Sequence, residues 1–167
     1  RPHHRGPVMK PDPARQLLAQ ALSELTQARG HLDYSFRQAA KLPADLKAAT
    51  PQELADVEAF CSRFARTVDL LVNKVLRSLD RAELLPQGTL LDVVNRAEKR
   101  GIVARAIDLR EMKDVRNIIA HDYAGAKAAE VFAYCRAEKP RLDVICDRLT
   151  DYIARLDVSP SPETDPR

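Results

Sequence analysis

Glycine is scarce and scattered: five residues in a chain of 167, no two of them close enough to form a phosphate-cradling loop. Enzymes that hold nucleotide phosphates on clustered glycine N–H groups are therefore a poor match, and this chain is not expected to be the ATP-using member of any pair. A Gly-x-Ser-x-Gly elbow is also missing. The three cysteines, Cys61, Cys135 and Cys146, are odd in number and lack paired metal-ligand spacing, so they are expected to be small buried hydrophobes rather than disulfides or zinc ligands. No apolar run approaches the length of a membrane span, and no charged-then-apolar leader precedes a small-residue cleavage site. The cytoplasm is the expected compartment. Strand-like alternation bounded by turn signals is absent, as is any internal repeat.

What is present suffices for one domain with a sizeable core: 45% of residues are apolar and 31% charged. A net charge of +3 permits a nucleic-acid partner without arguing for one, so the distribution of charge matters more than its sum. The ends are set aside. Arg1–Pro13 holds four of the eleven prolines together with His3 and His4, and Met9 within it reads as a natural start behind a tag remnant. Ser159–Arg167 holds three more prolines and almost nothing apolar, too little to offset the entropy of ordering. The expectation is tails over 1–13 and 159–167 around a helical body over 14–158.

Within that body, Leu18, Leu22, Leu25, Leu32 and Phe36 recur at the steps of one helical face, predicting a first helix over 14–41. Thr50-Pro51-Gln52-Glu53 is a capping box with proline at the first helical position. It should open a second helix of about thirty residues, roughly 45 Å long. Val57, Phe60, Phe64, Val68, Leu71, Val75 and Leu79 form its core face, and Pro86 with Gly88 closes the region. Thr89 caps a third helix that stops at Gly101, and Asp108-Leu109-Arg110-Glu111 repeats the cap pattern for a fourth. A last segment over 127–156 carries Val144, Ile145, Leu149, Tyr152, Ile153 and Leu156 on its core side, with Pro140 expected to split or kink it. The fold class is all-α, an up-and-down bundle of four or five helices.

The fourth helix ends in Arg116-Asn117-Ile118-Ile119-Ala120-His121-Asp122-Tyr123, just before Gly125. On a straight helix Asn117 and His121 share a face, whereas Arg116 lies ~140° from His121. Arg116 sits on the margin of the apolar arc and needs a partner. Two arrangements supply one: the helix loosens near His121, or two copies of the chain pack these faces together. In the plainer alternative Arg116 snorkels, His121 is solvated and Tyr123 is core. Asn117 either orients the imidazole, contacts phosphate or is ordinary surface; Asp114, on the His121 face, either raises the imidazole pKa or is solvated.

Arg116-Asn117, then His121, then Tyr123, in a small all-helical chain, resembles the Arg-x4-His-x-Tyr signature of the HEPN superfamily, in particular the HepT toxins of prokaryotic HepT/MntA pairs. The resemblance implies a metal-independent ribonuclease, working without cofactor as a homodimer with Arg and His gathered at the subunit interface. It implies a type VII toxin–antitoxin system whose partner, an MNT-type nucleotidyltransferase antitoxin, silences the toxin by transferring AMP to the motif tyrosine. Carried over by position, Arg116 and His121 are the catalytic pair, Asn117 the polar residue that follows the arginine, and Tyr123 the AMP acceptor.

A second feature comes from helical geometry. Arg63, Arg66, Lys74, Arg77 and Arg81 fall within an arc of roughly 80° on the second helix if it keeps 3.6 residues per turn, with Asp69 off that arc. Such a stripe can track an RNA backbone, face an acidic antitoxin, or be a solvated helix face. Aromatics do not interleave it, so no stacking platform for bases is expected. Arg96, Lys99, Arg100, Arg105 and Arg110 add basic character near the start of the fourth helix, or only cap and solvate. His31 has no second ligand near it in sequence and is expected at the surface. The alternative to a ribonuclease is a non-catalytic helical subunit that binds substrate for a nucleotidyltransferase; a third reading is a general RNA-binding bundle.

Overall fold

The computed structural model describes residues 12–121 and 127–156. Its helices are α1 (Pro13–Ala39), α2 (Pro51–Asp69), α3 (Arg77–Ala82), α4 (Leu90–Lys99), α5 (Ala106–His121) and α6 (Ala128–Leu156), with a single 3-10 turn at Leu46–Ala48. Among the described residues there is no strand, and the fold is the expected all-α bundle. Tyr123, the helix end at Gly125 and the tail histidines His3 and His4 lie outside the described residues.

Side-chain caps set the helix starts. Asp12 accepts from the N–H of Ala14 at 3.0 Å and places Pro13 at the first helical position, so α1 begins a residue before Ala14. Thr50 and Glu53 exchange reciprocal bonds of 3.1 Å at the start of α2, the capping box read from the sequence. Thr89 and Asp92 do the same for α4. Gly88 is required there, because a Cβ would come within 2.6 Å of Asp92 Cβ. Gly101 ends the α4 region with φ +75°, the left-handed turn expected of it.

The predicted long second helix is observed, but its winding changes partway. Leu70–Leu76 is π-helical and joins α2 to α3, so 51–82 is one rod with a wider middle. The rod ends before Pro86: Leu84 takes the left-handed position at φ 59°, and Leu85 N–H closes the last turn onto Asp80 O at 2.8 Å.

Asp108 does not cap α5, which starts at Ala106; Asp108 is buried in the first turn, paired to Arg105 at 2.8 Å and to Arg141 of α6 at 2.9 Å. Ion pairing has displaced capping as its role. Of the two expectations for Pro140, a split is not observed: it lies inside α6, a single helix of 29 residues. A helix-interior proline costs about 3 kcal/mol, and packing on both sides offsets it: Leu142 is buried, and buried Lys139 donates to Asp33 of α1 and to Asp143. Val144, predicted on the core side, is 46% exposed.

The α2 rod is the centre of the bundle and packs on α1, α5 and α6. Phe60 meets Phe36 of α1 at 5.7 Å and lies edge-on to Phe132 of α6 at 6.1 Å. Leu109 and Met112 bury the first half of α5 against the same core. Cys61, Cys135 and Cys146 are buried and form no disulfide, as expected of small hydrophobes.

Candidate functional site

Along α5 burial thins toward the C-terminus. Asp108, Leu109, Met112 and Lys113 are buried, Val115, Ile118 and Ile119 are partly so, and Asn117 and His121 are exposed. The apolar positions seat the helix while its end presents polar groups to solvent.

Arg116 is held by its own chain. Its Nε lies 3.3 Å from Asp69 Oδ1, and its Nη1 donates to Asn117 Oδ1 at 3.2 Å. Neither predicted arrangement, a loosened helix or a second copy, is needed to give the guanidinium a partner; the last residue of α2 supplies it. The same Asp69 oxygen accepts from Lys113 Nζ at 2.9 Å and from Asn73 Nδ2 at 2.7 Å. Partial burial pushes the Asp69 carboxyl up, but the Lys113 hydrogen bond and charge, with Arg116 and Asn73, outweigh it and hold it below the usual carboxylate range. Asp69 also marks the point where the rod changes winding, since the π-helical segment begins at Leu70. Such segments recur at functional sites.

His121 ends α5, exposed, and no hydrogen bond or ion pair engages its ring among the described residues. Asp114 is exposed as well. Arg116 and Asn117 are thus brought together, and His121 stands about one turn further along the same helix.

The five stripe cations lie along the α1 side of the rod. Arg63 and Arg66 line a shallow depression with Ala28 and His31 of α1, while Lys74, Arg77 and Arg81 line a separate groove with Leu17 and Glu24. Three of the five cations have structural partners. Arg63 donates to Ser35 Oγ at 2.6 Å, Lys74 pairs with Glu24 at 2.7 Å and Arg77 donates to Gly88 O at 2.9 Å. Arg66 and Arg81 are exposed. His31 is exposed, and its carbonyl accepts from Arg63 at 3.3 Å.

The basic residues of α4 also have a structural role. Arg96 and Arg100 clasp Asp80, which is 2% exposed, at 3.0 and 2.8 Å, and Arg100 reaches Glu83 at 3.0 Å. They tie α4 to the end of α3.

Asp69 and Lys113 escaped the sequence reading. The available signal was a charged residue on the margin of each apolar arc, Asp69 beside Val68 and Lys113 beside Met112, on two helices predicted to pack together. Such residues survive near a core by pairing.

A family profile described as "Ribonuclease HepT-like" matches residues 65–149. The matched stretch starts in α2 ahead of Asp69, takes in α4 and α5 whole and ends within α6; α1 lies outside it. No curated protein and no solved structure matches the chain.

Proposed function

The chain belongs to the HepT-like ribonuclease family, and from that premise we propose that it is a metal-independent endoribonuclease in which Arg116 and His121 act on one scissile phosphate. RNA carries its own nucleophile. Attack of the 2′-oxygen on phosphorus expels the 5′-oxygen and leaves a 2′,3′-cyclic phosphate, so the protein must move two protons and stabilise a more negative phosphorane. Imidazole titrates near neutral pH and suits the proton transfers, His121 taking the 2′ proton. A guanidinium offers a planar fork to phosphate oxygens, the task assigned to Arg116. Asn117, bonded to Arg116, contacts phosphate or steadies the guanidinium.

The observation that carries this reading is the state of Arg116. It is anchored on one side by Asp69 yet its side chain keeps 31% exposure, at the end of the helix that bears His121. A fixed but accessible cation fits phosphate recognition better than a snorkelling surface arginine does.

Two finer elements belong to the same proposal. The protein acts as a homodimer, so that two His121 rings serve one composite site as base and acid. It is the toxin of a type VII pair, neutralised when an MNT-type nucleotidyltransferase transfers AMP to Tyr123. Arg66 and Arg81, exposed on the rod, are the stripe residues best placed to meet RNA or an acidic antitoxin surface.

Purified protein incubated with RNA in chelator tests the reading, with Arg116→Ala and His121→Ala as controls. Cleavage by the wild type alone is expected. Undiminished cleavage by both variants removes the site, dependence on added metal removes the mechanism, and no cleavage by the wild type favours the non-catalytic substrate-binding subunit.

A further inference from the structure

We propose that Asp69 is a positioning residue for the ribonuclease reaction, and that Lys113 beside it determines how much of the Arg116 charge remains available to RNA. The inference rests on the reading of Arg116 as the phosphate-binding residue. One carboxylate, Asp69, meets two cations, Lys113 Nζ at 2.9 Å and Arg116 Nε at 3.3 Å, both on the same oxygen. The cluster therefore carries one positive charge in surplus.

The two cations are not equivalent. The Lys113 side chain is 11% exposed, so its ammonium is committed to Asp69 and cannot follow an RNA strand. The Arg116 side chain is 31% exposed, and its Nη2 has no partner among the described residues. A lone Asp–Arg pair would be close to neutral and would attract phosphate weakly. With Lys113 satisfying the carboxylate, Asp69 orients the guanidinium without cancelling it.

The carboxylate is itself fixed. Asn73, at the middle of the π-helical segment, donates to the same oxygen at 2.7 Å from within the rod, so Asp69 is held from its own rod and from α5 together. Since α2 packs directly on α5, the geometry is transmitted between two packed helices rather than through a loop.

The test uses isosteric changes in the full chain, each checked for helicity by circular dichroism. Cleavage is followed on fluorescein-labelled single-stranded RNA of mixed sequence, and binding on its 2′-O-methyl analogue, which lacks the nucleophile. Asp69→Asn removes a negative charge and loosens Arg116: kcat is expected to fall roughly 10- to 100-fold while the analogue binds severalfold tighter. Lys113→Met leaves Asp69 to neutralise Arg116 alone: the analogue is expected to bind severalfold more weakly, with the slope of log affinity against log salt reduced by about one. Damage to the fold alone would weaken binding in both variants, so opposite shifts are the signature of positioning. An unchanged kcat in Asp69→Asn, or binding that moves the same way in both variants, overturns the proposal. If Asp69→Asn does not fold, the Lys113→Met binding result decides. Arg116→Ala is run alongside: wild-type cleavage by that variant means that the underlying reading of the site has failed, whatever the Asp69 variants do.

Discussion

Asp69 Oδ1 and Arg116 Nε stand 3.3 Å apart across the packing of α2 on α5. The pair separates two kinds of loss. Arg116→Ala leaves Asp69 bonded to Lys113 and Asn73 and gives up a partly exposed ion pair, so its cost in stability should be small, about 0.2–1 kcal/mol. His121→Ala removes an exposed ring and should stay within about 0.5 kcal/mol of the wild type. Urea midpoints measured beside RNA cleavage should show both variants folded and inactive. A variant that loses activity only in proportion to its loss of folded protein would speak against a chemical role.

On one helix Arg116 and His121 face directions ~140° apart, which motivates a composite site. Arg116→Ala and His121→Ala chains, each inactive alone, should therefore regain part of the activity when mixed. Sedimentation of the wild type should report a dimer at assay concentration. Full activity in a species that sediments as a monomer would contradict this.

AMP transfer should be confined to Tyr123. Of the other tyrosines, Tyr134 has a buried hydroxyl and a ring edge-on to Phe64, Tyr152 donates to Glu83 Oε1 at 2.9 Å, and Tyr34 is 56% exposed. Tyr34 is thus the internal control for indiscriminate labelling. Mass spectrometry after incubation with a partner nucleotidyltransferase and ATP should find AMP on Tyr123 and none on Tyr34, and Tyr123→Phe should resist neutralisation. Adduct on Tyr34 instead would reject the assignment.

Asp80 should matter for stability rather than chemistry. It is 2% exposed and holds Arg96 and Arg100. Asp80→Ala strands buried positive charge and should cost roughly 3 kcal/mol, the low end for a broken buried pair because Arg100 keeps Glu83. A chemical denaturation curve gives the number, and a change under about 1 kcal/mol would show that the clasp is dispensable.

Acid should loosen the α5–α6 contact. The hydrogen bond from Arg105, opposed by burial and reinforced by Arg141, holds the Asp108 carboxyl below its ordinary value. Because the folded pKa is depressed, this stability is fully present above the unfolded value of about 3.9 and is lost as pH falls through the folded one. Asp108→Asn should therefore be less stable than the wild type at neutral pH, and the gap should close below about pH 4. A gap that stays constant with pH would assign the loss to packing.

Local chemistry carried much of this fold into the sequence. The capping box at Thr50 and Glu53, the cap at Thr89, the left-handed Gly101 and the apolar faces of α1 and α2 depend on residues within a turn or two of one another, so the chain order alone determined them. The octet ending in His121 and Tyr123 was legible in the same way, as types at fixed spacing. Tertiary structure decided whatever depends on partners distant in the chain. Asp69 and Arg116 lie 47 positions apart in the numbering and pair only because α2 packs on α5. Asp108 became an ion-pair centre once α6 brought Arg141 to it, and Pro140 was absorbed because buried neighbours on α6 outweighed a lost backbone bond. The stripe from Arg63 to Arg81 was legible as spacing, but which of its cations are engaged was decided by distant partners, Ser35 for Arg63, Glu24 for Lys74 and the Gly88 carbonyl for Arg77. Burial is the common cause: once water is excluded, a charge must find whichever opposite charge the packing supplies, however far away it lies in sequence.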